Sequence, residues 1–68
     1  MKRARLDHLD KVFCRWIKQQ ANGDVDKAFT MLVHTIGTGN GQYVIQLCKA
    51  LGARQNLMKA AALILEVT

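Results

Sequence analysis

The chain has 68 residues, half of which are apolar, and a formal net charge of +5 at pH 7. This length allows one small domain at most, and the apolar fraction excludes a disordered, highly charged tail. No apolar run reaches the ~18 residues of a membrane-spanning helix, so we expect a soluble, cytoplasmic protein.

The positive charge is concentrated at one end of the chain. Residues 1–20 hold six basic side chains against two acidic ones, whereas the remainder is nearly balanced. The basic residues of this segment are Lys2, Arg3, Arg5, Lys11, Arg15 and Lys18. Such asymmetry favours an acidic partner, and the candidates are a nucleic acid, an anionic membrane and an acidic protein surface.

The first predicted helix runs from Leu6 to Ala21. Its apolar residues recur at spacings of three and four, as on the buried face of a helix. We expect this core face to consist of Leu6, Leu9, Phe13, Trp16 and Ile17, with Val12 at its margin. On the opposite side, Lys11, Arg15 and Lys18 form what we call the basic stripe.

The basic stripe has more than one interpretation. Its cations can neutralise nucleic-acid phosphates, but a solvated helix face explains it slightly better because Asp7 and Asp10 interrupt the positive field. The same helix could also lie on a membrane surface through Phe13 and Trp16. We predict no membrane contact, because a helical core needs these residues, and we expect Trp16 to be buried.

A second helix is predicted from Val25 to Ile36. Asp24 can cap its free amides, and Gly37 is expected to end it. The predicted core face consists of Val25, Phe29, Leu32 and Ile36. Met31 and His34 fall on the outer face, where they are candidates for a contact surface.

The third predicted helix runs from Gln42 to Leu51. The stretch Tyr43–Leu47 alone resembles a short strand, but no second strand-like run exists to pair with it. Thr38 or Asn40 is available as the N-terminal cap, and Gly52 as the C-terminal cap.

The last predicted helix runs from Ala53 to Val67. From Ala60 onward it is apolar on nearly every side, so it must be central in the core or shared with a second subunit. A monomer of this size is marginally stable, and we therefore predict a homodimer or higher oligomer through this helix. The fold predicted for residues 1–68 is one all-α domain, a compact bundle of four short helices.

The segment from Leu47 to Met58 has the outline of a helix-turn-helix unit, with Gly52 at the turn. In such units the second helix places its first side chains in the major groove of DNA. Those residues here are Arg54, Gln55, Asn56 and Lys59, all able to contact bases or phosphates. Any two helices joined at a glycine show the same outline, and Ala53 is small for the residue after the turn.

Nothing in the sequence favours catalysis or a cofactor. Cys14, Cys48, His8 and His34 include no closely spaced pair of the kind that holds zinc, and the chain has no serine. The sequence thus favours a small, basic, non-enzymatic regulatory protein that binds nucleic acid. The alternative is a protein-binding modulator that occludes or adapts a larger protein partner.

Overall fold

The computed structural model describes residues 8–66, which form four α-helices. They are α1 (His8–Ala21), α2 (Val25–Thr35), α3 (Gly41–Leu51) and α4 (Leu57–Glu66), with a π-type turn, Ile36–Asn40, between α2 and α3. The described residues contain no strand, and the prediction of a compact all-α bundle is confirmed. The predicted roles of Lys2, Arg3, Arg5, Leu6 and Val67 lie outside the described residues.

The connection between α1 and α2 ends with the predicted cap at Asp24. Asn22 and Gly23 both adopt left-handed backbone conformations, with φ of 51° and 85°, and reverse the chain. The Asp24 carboxylate then accepts hydrogen bonds from the backbone amides of Asp26 at 3.0 Å and Lys27 at 3.4 Å. These bonds satisfy amides that have no partner within α2, which is why the helix begins at Val25.

The junction between α2 and α3 differs from the prediction. The helical path does not end at Gly37 but continues to Gly39, whose φ of 93° breaks it. The Thr38 hydroxyl donates to the Thr35 carbonyl oxygen at 2.8 Å, and the Asn40 amide donates to the Thr38 hydroxyl at 3.2 Å. Because both side chains bond back towards α2, neither caps α3, and that part of the prediction was wrong.

Gly52 ends α3 as predicted, in the left-handed conformation with φ of 82°. The backbone amide of Ala53 donates to the carbonyl oxygen of Cys48 at 2.9 Å, and that of Gly52 to Lys49 at 3.0 Å. This pair of bonds is a Schellman motif, which satisfies the last carbonyls of the helix.

The fourth helix begins four residues later than predicted, at Leu57 and not at Ala53. Arg54 adopts a left-handed conformation with φ of 55°, which no helix residue can hold. Asn56 then provides a cap, since its side-chain oxygen accepts from the backbone amide of Lys59 at 3.0 Å. Helix propensity alone does not show this delay, because Arg and Gln are good helix formers.

The core is built largely from small side chains and is centred where α2 packs against α4. Helix α4 contacts α1, α2 and α3, and most extensively α2, which confirms its predicted central position. The buried residues are Cys14, Ile17, Ala21, Ala28, Leu32, Val44, Leu47, Cys48, Leu51, Ala53, Ala60, Ala61 and Ile64. Five of them are alanine, and such small residues let helix axes approach closely.

Helix α1 is rotated relative to the prediction. The face that enters the core carries Cys14, Ile17 and Ala21, all fully buried. Leu9 and Trp16, predicted for the core, are 72% and 49% exposed. The predicted burial of both residues was therefore wrong.

Helix α1 packs mainly against α2 and α4, and two contacts with α3 also fit this rotation. The Tyr43 hydroxyl donates to the Asp10 carboxylate at 2.8 Å, and the Tyr43 ring meets Phe13 edge-on with centroids 5.3 Å apart. Asp10 and Phe13 must therefore face α3, and Trp16 turns outward with its ring 6.1 Å from that of Phe13. Ile36, also predicted for the core, is exposed in the turn after α2.

The rotation predicts unequal costs for two neighbouring substitutions. Ile17→Ala is expected to cost about 2–5 kcal/mol of unfolding free energy, because it opens a cavity in the core. Trp16→Ala is expected to cost only about 1–2 kcal/mol, since half of the indole is already in water. Denaturant unfolding followed by far-UV circular dichroism measures both, and the reverse order of costs would contradict the described rotation.

Candidate functional site

Arg54, Gln55, Asn56 and Lys59, the residues predicted to read bases, lie together at the α3–α4 turn, and we call them the turn cluster. With Gly52 and Ala53 they line one open depression of about 680 Å³. Each of the four is exposed. The structure therefore brings the predicted residues together and makes them accessible to a partner.

The geometry of the turn cluster differs from that of a recognition helix. The connection spans five residues, Gly52–Asn56, whereas a helix-turn-helix unit has about three or four. Of the four residues, only Lys59 lies within α4. The side-chain oxygen of Asn56 already accepts a backbone hydrogen bond, so Asn56 is not free for a two-bond contact with adenine. The turn cluster is better suited to phosphate contacts than to base readout.

The basic stripe lies on the outer side of α1. Lys11 and Arg15 are exposed, while Lys18 is half-buried and has an interaction partner. The first two cations therefore form the accessible part of the stripe. Of the protein-contact candidates on α2, His34 is exposed, but Met31 is half-buried against the core instead of lying on the outer face.

The rotation of α1 creates a surface that the sequence analysis missed. Leu9, Val12 and Trp16 are exposed by 72%, 47% and 49%, and their spacing places them along one line of the helix. We call these three residues the apolar stripe. Cys14, Ile17 and Ala21 repeat at the same intervals in the sequence. Their spacing also predicts a buried helix face, and it is the sequence pattern from which the observed core side of α1 could have been found.

An open groove adjoins the apolar stripe where α1 meets α2. Trp16 and Gln20 line it from α1, and Asp26, Lys27, Thr30 and Met31 line it from α2, enclosing about 460 Å³. Trp16 thus belongs to both surfaces. Together the apolar stripe and the groove form an accessible apolar area with polar side chains at its border.

The two cysteines are buried and unbridged. Burial, with a smaller contribution from the negative charge of Asp10, raises the pKa of the Cys14 thiol to about 11. Burial also raises the pKa of Cys48. Nucleophilic attack needs the thiolate, so the raised pKa values do not favour either residue as a nucleophile near neutral pH.

The described residues contain no group of three or more histidine, cysteine, aspartate or glutamate side chains placed to hold a metal ion. None of the helices among residues 8–66 is long and apolar enough to cross a bilayer. Comparisons with protein-family models, with curated proteins and with solved structures found no match to this chain.

The raised pKa of Cys14 predicts a loss of stability at alkaline pH. The unfolded thiol deprotonates near pH 9 and the folded one near 11, so protons leave the unfolded state first. The unfolding free energy should therefore fall as pH rises from about 9 to 11. Denaturant unfolding of wild type and Cys14→Ala over this range measures the effect, because other titrating groups are common to both proteins. An identical pH dependence in the two would contradict the assignment.

Proposed function

We propose that this protein is a non-catalytic, protein-binding modulator that docks a larger protein on α1 and so occludes or adapts it. The observation that carries this proposal is the exposure of the apolar stripe. Soluble proteins seldom expose adjoining large apolar side chains unless the surface binds something. A half-exposed tryptophan beside a groove is also the kind of residue that anchors protein interfaces.

The packing of α1 strengthens this argument. Cys14, Ile17 and Ala21 already supply its contribution to the core, so the fold does not need Leu9 or Val12 to be apolar. Polar residues at these two positions would leave the core intact and improve solubility. We take the apolar character of these two positions as support for a contact outside the monomer.

Nucleic-acid binding is the second candidate function, and the turn cluster is the observation that favours it. Arg54 and Lys59 place two cations on one open depression, beside the Gln55 amide. In this version the turn cluster contacts phosphates, and the basic stripe, with Lys2, Arg3 and Arg5, adds electrostatic affinity.

Self-association through the C-terminal helix stays a prediction. Within the described part of α4, Leu63 and Leu65 are half-buried against the core of the same chain, and Met58 is the large apolar residue that is exposed. These contacts leave less apolar surface for a second subunit than the sequence pattern indicates.

Affinity capture from a lysate of the organism that encodes this protein separates the two functions. Wild type is compared with a stripe variant, Leu9→Ser with Val12→Ser, and a turn variant, Arg54→Ser with Lys59→Ser, each with and without nuclease. The protein-binding proposal expects partners that survive nuclease and are lost in the stripe variant alone. Identical captured sets for wild type and the stripe variant would overturn it, provided circular dichroism shows both folded.

A salt titration tests the second candidate directly. If Arg54 and Lys59 contact phosphates, neutralising each should weaken binding to all sequences alike and reduce the salt slope by about one unit per residue. Fluorescence anisotropy with labelled duplex DNA and structured RNA measures this. No affinity for either at low salt, where a protein with a net charge of +5 is most favoured, would remove the candidate.

A further inference from the structure

The chain contains the dipeptide Asn-Gly twice, at residues 22–23 and 40–41. An asparagine side chain can be attacked by the backbone nitrogen of the next residue, which closes a five-membered ring and releases ammonia. Glycine favours this attack, because it has no side chain in the way and its backbone rotates freely. The structure places the two identical dipeptides in different surroundings, so their reactivity in the folded protein should differ.

The first dipeptide, Asn22 with Gly23, forms an exposed, open turn between α1 and α2. The backbone amides of Asn22 and Asp24 each donate a hydrogen bond of 3.0 Å, whereas within residues 8–66 that of Gly23 donates none to the backbone. Apart from the two adjoining residues, no atom of the described chain lies within 4 Å of where a side chain on Gly23 would begin. The attacking nitrogen is therefore unbonded and has open space around it.

The second dipeptide, Asn40 with Gly41, is held in place. The Asn40 side-chain amide donates to the Thr38 hydroxyl at 3.2 Å. Gly41 is half-buried and is the first residue of α3, with helical φ and ψ of −60° and −39°. The Ile36 Cγ2 atom lies 3.6 Å from the place of a Cβ on Gly41. Ring closure here must first break a hydrogen bond and open the start of a helix.

We infer that Asn22 is a site of spontaneous deamidation in the folded protein and that the fold protects Asn40. The Gly23 nitrogen loses its proton to the solvent and attacks the side-chain carbonyl carbon of Asn22. A carbon–nitrogen bond forms, the bond to the side-chain nitrogen breaks, and that nitrogen takes up a proton and leaves as ammonia. Water then opens the succinimide ring at either carbonyl, which gives aspartate or isoaspartate. This inference does not depend on the proposed protein-binding function.

The modification weakens the junction between α1 and α2. Isoaspartate adds one carbon to the main chain, which displaces the Asp24 amide from the Ala21 carbonyl oxygen that it now meets at 3.0 Å. The Asp24 carboxylate, which caps α2, moves with it. Either product also adds a negative charge at the C-terminal end of α1, where the helix dipole disfavours it. The modified protein should therefore be less stable than the unmodified one.

Mass spectrometry of tryptic peptides tests the inference, because Asn22 and Asn40 fall in separate peptides, residues 19–27 and 28–49. The folded protein is incubated in mildly alkaline buffer and digested at mildly acidic pH, with an unincubated sample as the zero point. Asn22 should convert at least about fivefold faster than Asn40, since reaction at Asn40 has to break a hydrogen bond first. In guanidinium chloride, which removes the fold, the two should convert at similar rates.

Two results would overturn the inference. One is equal conversion of Asn22 and Asn40 in the folded protein. The other is conversion of Asn22 in guanidinium chloride but not in the folded protein, which would mean that the turn protects it. Synthetic peptides that contain aspartate or isoaspartate at position 22 serve as chromatographic standards for the two products.

Matched variants test the loss of stability. Asn22→Gly removes the reacting amide, and glycine adopts the left-handed conformation of this position without strain. Aged wild type should gain a fraction that unfolds at lower denaturant concentration, whereas aged Asn22→Gly should not. Asn40→Gly should age like wild type.

Proteolysis of aged wild type at intermediate denaturant concentration links that fraction to the modified turn. A short pulse of protease digests the unfolded molecules, so the protein that survives should be depleted in isoaspartate at position 22. Equal isoaspartate contents before and after the pulse would refute the predicted effect on the junction. The same fraction in aged Asn22→Gly would also refute it.

Discussion

The contact between Tyr43 and α1 joins the core-facing side of the first helix to α3. The hydroxyl of Tyr43 bonds to Asp10 at 2.8 Å while its ring packs edge-on against Phe13, so two adjoining positions of α1 are held against α3. A hydrogen bond to a carboxylate is among the stronger ones available to a small protein. Because Asp10 and Phe13 face inward, Trp16 lies at the edge of the bundle. The apolar stripe, to which we assign function, is exposed for the same reason.

The small residues of the core reinforce this arrangement. Cys14 and Ala21 bring the α1 backbone close to its neighbours, and the adjoining alanines Ala60 and Ala61 do the same for α4. A close-packed interface of this kind has no room for an indole. The same tight packing keeps the Cys14 thiol out of water and raises its pKa.

The helices and most of their ends could be predicted from the sequence, because they depend on local chemistry. Asp24 caps with its own side chain, and Gly52 needs no tertiary contact to adopt a left-handed conformation. The rotation of α1 could not be predicted, since both of its faces repeat at helical intervals and the choice depends on packing against the other helices, including contacts as distant in sequence as Tyr43 from Asp10. The late start of α4 was missed because Arg54 takes a conformation that its residue type rarely adopts.

The most direct test of the account is the accessibility of Trp16 in the free, folded protein. Collisional quenching of its fluorescence by acrylamide measures its exposure. We expect efficient quenching by acrylamide, because half of the Trp16 side chain is in water. A tryptophan protected from acrylamide, as in a closed core, would contradict the rotation of α1 and remove the apolar stripe with it.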